Sequence, residues 1–184
     1  MPDMRELSIP GVFEILPQKF GDDRGFFSET YSADRFRANG VDLVFVQDNH
    51  SYSAARGVLR GLHYQLAPRA QDKLVRVVKG AIFDVAVDIR RSSPTFGKWA
   101  GLEVSAAKWN QILVPKGFAH GFVTLEPDTE VVYKVTDIYA PDLDRNIRFD
   151  DPQIRIDWPV SFDAVQLSAK DQEAPLLSDA EVFD

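Results

Sequence analysis

The sequence contains no cysteine, no long apolar run and no excess of positive charge. Without cysteine, the chain forms no disulfide and binds no metal through thiolates, which is typical of proteins in a reducing compartment. No segment approaches the ~20 consecutive apolar residues of a transmembrane helix, and the N-terminus lacks the apolar core of a signal peptide. We therefore expect a cytoplasmic protein that does not cross a membrane.

The charge balance is acidic, because 28 Asp and Glu residues outnumber 21 Lys and Arg residues and give a net charge of −7. Nucleic acids and anionic membranes bind basic surfaces, since Lys and Arg displace the counterions of the phosphates. We therefore expect neither a nucleic acid nor a membrane as partner. A local cluster of basic residues is informative against this background.

The length and composition are those of one ordinary globular domain. The 184 residues are 45% hydrophobic and 27% charged, without internal repeats or low-complexity segments. A chain of this length can bury one substantial core. We expect a single domain over residues 1–184, with an extended C-terminal tail from about residue 172.

Short β-strands dominate the pattern. The clearest covers residues 81–90, where the apolar Phe83 and Val85 alternate with Asp84, the period of two of a strand with one buried face. About ten such segments are separated by Gly and Pro turn signals, which predicts an antiparallel sandwich or barrel. One helix is predicted over residues 32–40, between an N-cap serine and a terminal Asn-Gly pair.

Three polar side chains stand close together in one β-like stretch. Arg60, His63 and Lys73 bring a guanidinium, an imidazole and an ammonium into 14 residues, a combination that suits anion binding and proton transfer. Strict alternation puts Arg60 and His63 on opposite faces of a strand. Either a bend at Gly61 or a site shared between two subunits would let both reach one ligand.

The three histidines, His50, His63 and His120, are the candidates for metal ligands. Cupin-type barrels that hold a metal commonly use a His-x-His pair, a later glutamate and a third histidine. Here the residue two positions after His63 is Gln65, and two histidines with an amide are a poor ligand set for a transition metal. No metal site is therefore expected.

As a proton carrier, His63 needs a carboxylate that orients its ring. Spacing alone does not choose among Asp84, Asp88 and Asp171. Lys73 is either an edge-strand charge or an ammonium directed at a carbonyl oxygen. Tyr133 and Tyr139 either fill space in the core or donate a proton. Three basic residues form either salt bridges or contacts with a phosphate: Arg24, Arg60 and Lys170.

Six blocks of residues, spread over nearly the whole chain, resemble one known family. They are DRGFFSE at 23–29, QDNHS at 47–51, LRGLHYQ at 59–65, KLVR at 73–76, PKGFAHGF at 115–122 and SAKD at 168–171. In this order and spacing they are similar to the dTDP-4-dehydrorhamnose 3,5-epimerases. The resemblance implies an all-β, cupin-like jelly roll with a few short helices. It also implies a homodimer, in which an N-terminal segment crosses to the partner, and an enzyme without metal or organic cofactor.

The resemblance implies roles for individual residues. His63 is the general base, Asp171 orients its ring, and Tyr133 is the proton donor on the opposite face of the sugar. Lys73 neutralises the enolate oxygen. Ten further residues fall where the family contacts the nucleotide, the diphosphate or the sugar: Arg24, Glu29, Gln47, Asp48, Asn49, Arg60, His120, Tyr139, Asp144 and Lys170. At position 144 the family often has glutamate, which reaches further than aspartate.

The implied activity is epimerisation of dTDP-4-dehydro-6-deoxy-D-glucose at C3 and C5, which gives dTDP-4-dehydro-L-rhamnose for rhamnose biosynthesis. Two alternatives stay open. One is an epimerase that inverts only C3 or only C5 of another nucleotide-linked 4-keto-deoxysugar in secondary metabolism, for which the same residues would serve. The other is a catalytically silent cupin that binds a sugar or a metal.

Overall fold

The protein is a sandwich of two antiparallel β-sheets. The computed structural model describes residues 2–184, which contain thirteen strands and two short α-helices. The larger sheet has six strands, in the spatial order β1 (Asp3–Glu6), β2 (Phe13–Leu16), β10 (Gln111–Val114), β7 (Lys73–Lys79), β12 (Thr129–Val135) and β5 (Gln47–Ser53). The smaller sheet has five, in the order β13 (Asp144–Asn146), β6 (Leu59–Gln65), β11 (Phe118–Thr124), β8 (Ala81–Asp88) and β9 (Trp99–Ser105). A separate hairpin pairs β3 (Lys19–Asp22) with β4 (Gly25–Ser28).

The five-stranded sheet is buried on both faces. Its inner face packs against the six-stranded sheet through an apolar cluster that includes Val75, Ile82 and Phe122. Its outer face is covered by the chain after β13, where Ile147 and Trp158 join a second apolar cluster. Two layers of antiparallel strands around one core are the architecture of a jelly roll, so the all-β fold class predicted from the sequence is confirmed.

The C-terminal tail packs onto this outer face. Phe183 forms a β-bridge with Arg90, and its ring lies 6.3 Å from that of Tyr64, centroid to centroid. Ala180 is buried in the same cluster. The tail has little regular structure, but it is part of the core that supports β6.

The two helices differ in how well the sequence predicts them. α1 (Ala33–Ala38) lies in the predicted range and buries Phe36 against the outer face of the six-stranded sheet. α2 (Ala169–Gln172) has no counterpart in the sequence-based prediction, because a single turn is too short to show helical periodicity. No helix within residues 2–184 is long and apolar enough to span a membrane.

Two strands of the six-stranded sheet are shorter than the local residue pattern allows. Residues 41–46 precede β5 without strand structure, and β12 ends at residue 135. The chain after β12 instead forms a loop that Gln65 holds, because its side-chain amide donates to the carbonyl of Ile138 and accepts from the N–H of Ala140. A side chain that is distant in sequence therefore ends this strand region.

Candidate active site

A cleft between the two sheets collects most of the candidate residues. One cavity of about 400 Å³ is lined by Arg60, His63 and His120 from the five-stranded sheet and by Lys73 and Tyr133 from the six-stranded sheet. A neighbouring cavity of about 270 Å³ shares His63, Lys73 and Tyr133 with the first. Because the same three side chains line both, the two cavities form one cleft.

A bulge in β6 brings Arg60 and His63 to the same face. In the pairing of β6 with β11, His63 lies opposite His120 and Arg60 lies opposite Phe122, with a shift of register between the two pairs. Two residues of β6, the first of them Gly61, therefore face one residue of β11, and the alternation reverses at this point. Of the two alternatives that the sequence leaves open, the structure has the bend.

Glycine is required at the centre of the bulge. The φ angle of Gly61 is +132°, a conformation that residues with a Cβ rarely adopt. A Cβ at this position would also lie 2.5 Å from the Cα of Gly121 and 2.8 Å from the carbonyl oxygen of His120. The close approach of β6 to β11 thus explains why both strands carry glycine here.

His63 is paired with a buried carboxylate. Its Nε2 lies 2.5 Å from Oδ1 of Asp171, a residue that is 3% exposed. Burial by itself raises the pKa of Asp171, but hydrogen bonds from His63, Ser168 and the backbone of Gly61 lower it below the usual range. An ionised Asp171 makes Nε2 of His63 the donor, which leaves Nδ1 free to accept a proton from a ligand.

Lys73 lies buried in the cleft, and its ammonium has few hydrogen-bond partners. Its ammonium makes one long contact of 3.4 Å with the carbonyl oxygen of His63, and the residue is 9% exposed. Burial lowers the pKa of Lys73 to about 8, a fall that Asp84 and Asp144 oppose and Lys170 increases. A poorly partnered ammonium in a cleft is suited to an oxygen that gains negative charge.

Tyr133 reaches the cleft from the sheet opposite His63. Burial raises the pKa of its phenol, the charge of Asp144 adds to the rise, and the guanidinium of Arg60 acts in the other direction. The phenol is therefore protonated at neutral pH and can donate its proton. The cleft thus has a proton acceptor on one sheet and a proton donor on the other.

His120 is paired with a second buried carboxylate. Its Nε2 lies 2.9 and 2.8 Å from the two carboxylate oxygens of Asp84. The side chain of His120 is 8% exposed, against 32% for that of His63, its neighbour across the strand pair. Two histidine–aspartate pairs are therefore adjacent in the cleft wall, and His63 is the more exposed of the two histidines.

The strand β5 contributes Gln47 and Asn49 to the cleft rim. Both lie on its inner face, as the period of two predicts, and the amide of Gln47 donates to Asn49 over 2.9 Å. The end of β5 also holds Arg60, which donates to the carbonyl of Tyr52 over 3.1 Å. Asp48 points to the outer face, as its alternation with Gln47 and Asn49 requires. There it pairs with a lysine of β12 over 2.9 Å, so the structure does not bring it into the cleft.

Tyr139, Asp144 and Lys170 form one hydrogen-bonded group at the second cavity. The hydroxyl of Tyr139 donates to Oδ2 of Asp144 over 3.2 Å, and the ammonium of Lys170 bonds the same oxygen. The backbone N–H of Tyr139 donates to Gln47 over 3.2 Å, which joins this group to β5. These predicted contact residues therefore lie together at one end of the cleft.

Arg24 and Glu29 lie outside the cleft of their own chain. Arg24 stands at the turn of the β3–β4 hairpin with its side chain 89% exposed, and it pairs with Asp22 over 2.5 Å. Glu29 pairs with Arg35 over 3.0 Å. Neither residue lines either cavity of the cleft. Any contact with a ligand in a cleft would therefore have to be made in a second subunit.

Residues 166–168 form a wall of the cleft that the sequence does not predict. These residues line the first cavity just before α2, where Gln166 forms a parallel bridge with Val58. Ser168 caps α2 and donates to Asp171 over 2.9 Å, so it fixes the carboxylate that meets His63. A serine three residues before an acidic residue is a helix-capping pattern, and that signal could have revealed the helix.

Gln65 occupies the position at which a metal-binding barrel of this type carries its second histidine. Its amide is bound to the loop after β12, as described above. The described residues 2–184 contain no group of three His, Cys, Asp or Glu side chains placed to hold a metal ion.

The known proteins to which this chain is similar are epimerases. The family model for dTDP-4-dehydrorhamnose 3,5-epimerase matches residues 6–179. The dTDP-4-dehydrorhamnose 3,5-epimerase of Pseudomonas aeruginosa is 53% identical over 178 residues, which are 96% of this chain and 97% of that protein. The crystal structure of dTDP-6-deoxy-D-glucose-3,5-epimerase from Legionella pneumophila, in complex with dTDP-4-keto-L-rhamnose, is 46% identical with a TM-score of 0.94, covering 98% of this chain and 95% of that one. A 3'-monoepimerase from Streptomyces bikiniensis, in complex with dTDP-quinovose, is 35% identical with a TM-score of 0.88, covering 95% and 88%.

Proposed function

Since this chain belongs to the dTDP-4-dehydrorhamnose 3,5-epimerase family, we propose that it converts dTDP-4-dehydro-6-deoxy-D-glucose into dTDP-4-dehydro-L-rhamnose. The reaction inverts C3 and C5 of the sugar. The observation that carries the proposal is the placement of His63 and Tyr133 on opposite sheets of one cleft, with Lys73 buried beside both. Epimerisation needs a base on one face of a carbon and an acid on the other.

The proton transfers follow from the chemistry of the substrate. The ketone at C4 acidifies the hydrogens at both C3 and C5, so one base can remove either of them. Nδ1 of His63 takes the proton, and the electron pair of the C–H bond moves into an enolate whose negative charge rests on the C4 oxygen. The hydroxyl of Tyr133 then delivers a proton to the other face of the carbon, which inverts it. The imidazolium of His63 then releases its proton to solvent and the phenolate of Tyr133 takes one up, so both residues return to their starting states and no electrons are lost or gained overall.

Asp171 and Lys73 make these transfers possible. Asp171 holds the ring of His63 with Nε2 as donor and stabilises the imidazolium that forms, since their atoms are 2.5 Å apart. The ammonium of Lys73, which is 9% exposed, stabilises the enolate oxygen. One preorganised donor of this kind contributes about 3 kcal/mol to transition-state stabilisation, and each positioned acid or base contributes about 10²–10⁴-fold in rate.

The remaining residues of the cleft bind the substrate. Arg60 offers a planar fork to the diphosphate, and His120 lies beside it on the next strand. The groups at the second cavity face the other end of the ligand: Gln47, Asn49, Tyr139, Asp144 and Lys170. Asp48 has no part in this set, because it faces away from the cleft.

The protein acts as a homodimer in which the β3–β4 hairpin reaches the cleft of the partner. The hairpin carries Arg24 and exposes three aromatic rings, since Phe20 and Phe26 are each 54% exposed and Phe27 is 70% exposed. A patch of this kind on a protein surface is typical of a contact with another chain. Arg24 and Glu29 would then contact the nucleotide of the partner's substrate.

The dimer proposal has a direct test in mixed dimers. Arg24→Ala and His63→Asn proteins, each inactive alone, regain activity when mixed and refolded together, because one cleft of the heterodimer then has both native residues. If the hairpin serves its own chain, the mixture stays inactive. Light scattering gives the mass of the particle independently.

The epimerase proposal is tested by turnover in deuterated water. With dTDP-4-dehydro-6-deoxy-D-glucose as substrate, we expect deuterium at both C3 and C5 of the product. Label at C3 alone would identify a monoepimerase, the second candidate, which the similarity to the S. bikiniensis 3'-monoepimerase keeps open. Tight binding without any label would identify a sugar-binding protein without activity.

A further inference from the structure

The loop of residues 136–140, directly after β12, carries Tyr139 into the wall of the second cavity. Apolar packing does not hold this loop. Ile138 and Tyr139 are 51% and 58% exposed, and neither is part of the three apolar clusters of residues 2–184. A surface segment without buried apolar contacts keeps one conformation only if other partners bind its backbone. The groups that bind this backbone therefore decide where Tyr139 stands.

The side chain of Gln65 binds the backbone on both sides of Tyr139. Its amide donates to the carbonyl of Ile138 over 3.2 Å and accepts from the N–H of Ala140 over 2.7 Å. The same amide nitrogen donates to the carbonyl of Arg69 over 2.7 Å. Both N–H groups and the oxygen of this buried amide are thus used, so three partners fix its orientation.

Two further glutamines bind the same loop. Gln71 donates to the carbonyl of Asp137 over 2.8 Å, and Gln47 accepts from the N–H of Tyr139 over 3.2 Å. Together with Gln65 they bind a backbone group in each of four consecutive residues. All three glutamines line the second cavity beside Tyr139. The loop is therefore held by side chains of the cavity that it encloses.

Gln65 is the glutamine that joins this loop to the strand of the proposed base. It lies two residues after His63 in β6, and its partner across the strand pair is Asp144. Asp144 accepts from the hydroxyl of Tyr139 over 3.2 Å. Both the backbone and the side chain of Tyr139 are thus fixed relative to β6 and its neighbour.

We propose that Gln65 and Gln71 are positioning residues for substrate binding: they fix the loop after β12 so that Tyr139 forms the wall of the second cavity. Gln65 has the larger share, because it binds the loop on both sides of Tyr139. Both glutamines act through Tyr139 and need no contact of their own with the substrate. The inference rests on the proposed function, in which Tyr139 is one of the residues that bind the ligand.

Gln65→Met tests the proposal with a side chain of similar length that forms none of the three hydrogen bonds. The KM for substrate should rise by about 10-fold, as for the net loss of about one hydrogen bond. The kcat should stay within a few fold of the wild type, because His63 remains in β6. An unchanged KM would overturn the proposal, and so would a fall in kcat alone.

A double-mutant cycle shows whether the effect passes through Tyr139. Tyr139→Ala alone should raise the KM, and Gln65→Met should add almost nothing in that background, since the side chain that it positions is already gone. A residue that only stabilises the fold would raise the KM by the same factor in both backgrounds. Two increases that multiply would therefore contradict the proposal.

Hydrogen exchange of backbone amides, measured by NMR, tests the placement of the loop without substrate. In Gln65→Met the amides of Tyr139 and Ala140 should exchange about 10-fold faster than in the wild type, whereas those of β6 and β11 should keep their rates. Uniformly faster exchange, or unchanged exchange in the loop, would overturn the proposal. Because this measurement needs no turnover, its outcome is distinct from a failure of the epimerase proposal.

Thr129→Val is the matched control, because it also removes a buried hydrogen bond to a loop carbonyl. Thr129 has no exposed surface, its hydroxyl donates to the carbonyl of Glu126 over 2.8 Å, and it lines neither cavity of the cleft. This variant should have a lower melting temperature and the KM of the wild type. A rise of its KM equal to that of Gln65→Met would indicate general damage to the sandwich and would overturn the specific role of Gln65.

If Gln65→Met does not fold, Gln71→Met carries the test. Gln71 is partly exposed and makes one hydrogen bond to the loop, so its replacement leaves β6 intact. The KM should rise by about threefold, as for a weaker hydrogen bond, and this rise should disappear in the Tyr139→Ala background. A KM equal to that of the wild type, or the same rise in both backgrounds, would contradict the proposal.

Discussion

His63 and His120 stand side by side in the five-stranded sheet, each paired with an aspartate, and the two pairs differ in what surrounds the carboxylate. Asp171 accepts hydrogen bonds from His63, Ser168 and a backbone N–H. Asp84 is bonded to His120 alone within the described residues. The histidines differ as well, since the side chain of His63 is 32% exposed and that of His120 is 8% exposed.

This difference shows that the same two residue types can serve two purposes in one cleft. A carboxylate that several donors stabilise stays ionised beside its histidine, whose other nitrogen is accessible to a ligand, and such a pair can transfer protons. A carboxylate bonded only to its histidine holds that ring in place. The first pair is suited to proton transfer, and the second to fixing a side chain in the cleft wall.

Replacing the histidine of each pair should give the largest difference in activity between the two pairs. His63→Asn should lower kcat by about 10³–10⁴-fold and abolish deuterium exchange at C3 and C5, because no base is left. His120→Asn, the matched change in the neighbouring pair, should retain exchange and mainly raise the KM. Loss of exchange in both variants with an unchanged KM would remove the distinction between the pairs.

The carboxylate of the first pair should have the next largest effect. Asp171→Asn leaves the base in place but takes away the charge that orients it, so kcat should fall by about 10³-fold. Binding of dTDP, measured by calorimetry, should stay within a few fold of the wild type. Weaker dTDP binding with normal turnover would indicate that Asp171 serves the ligand rather than His63.

Tyr133 tests whether the first pair works with an acid across the cleft. Tyr133→Phe should lower net inversion by about 10²-fold, while removal of the C3 and C5 protons continues and appears as exchange with retained configuration. NMR of the sugar in deuterated water distinguishes the two outcomes.

Tyr139→Phe is the control for this experiment. Its ratio of inversion to exchange should equal that of the wild type, since the phenol at position 133 is intact. A loss of inversion in Tyr139→Phe alone would move the proton donor to that residue.

The smallest expected effect is that of removing the hydroxyl of Ser168, which donates a hydrogen bond to Asp171. Ser168→Ala removes a helix cap and one hydrogen bond to the carboxylate, which should reduce the free energy of unfolding by about 1 kcal/mol and lower kcat less than Asp171→Asn does. Ser161→Ala provides the control, because Ser161 precedes a short 3₁₀ helix without a side-chain cap. Equal melting temperatures for the two variants would show that the cap at Ser168 contributes nothing.

The sequence predicts the architecture well and the details of the site in part. Alternation in β8 and closely spaced turn signals predict the antiparallel sandwich, and the six blocks predict the family; both are confirmed. The placement of Gln47 and Asn49 on one face also follows from local periodicity. The assigned roles of His63, Tyr133 and Lys73 stay predictions until the variants above are measured.

Other features depend on contacts that no local pattern contains. The short helix α2 is too brief for periodicity, and the loop after β12 is held by the side chain of Gln65 from another strand. Arg24 lies on an exposed hairpin, outside the cleft of its own chain. No local pattern shows where such a hairpin packs.

The sequence by itself determined how side chains alternate along the regular strands and which chemical groups the chain has for proton transfer, because alternation is a property of each strand alone. Only the tertiary structure decided which aspartate meets which histidine, since Asp171 lies 108 residues from His63 and reaches it through the packing of α2 on β6. It also decided that Arg60 and His63 share a face. Register depends on the partner strand, and the bulge at Gly61 exists only in the pairing of β6 with β11.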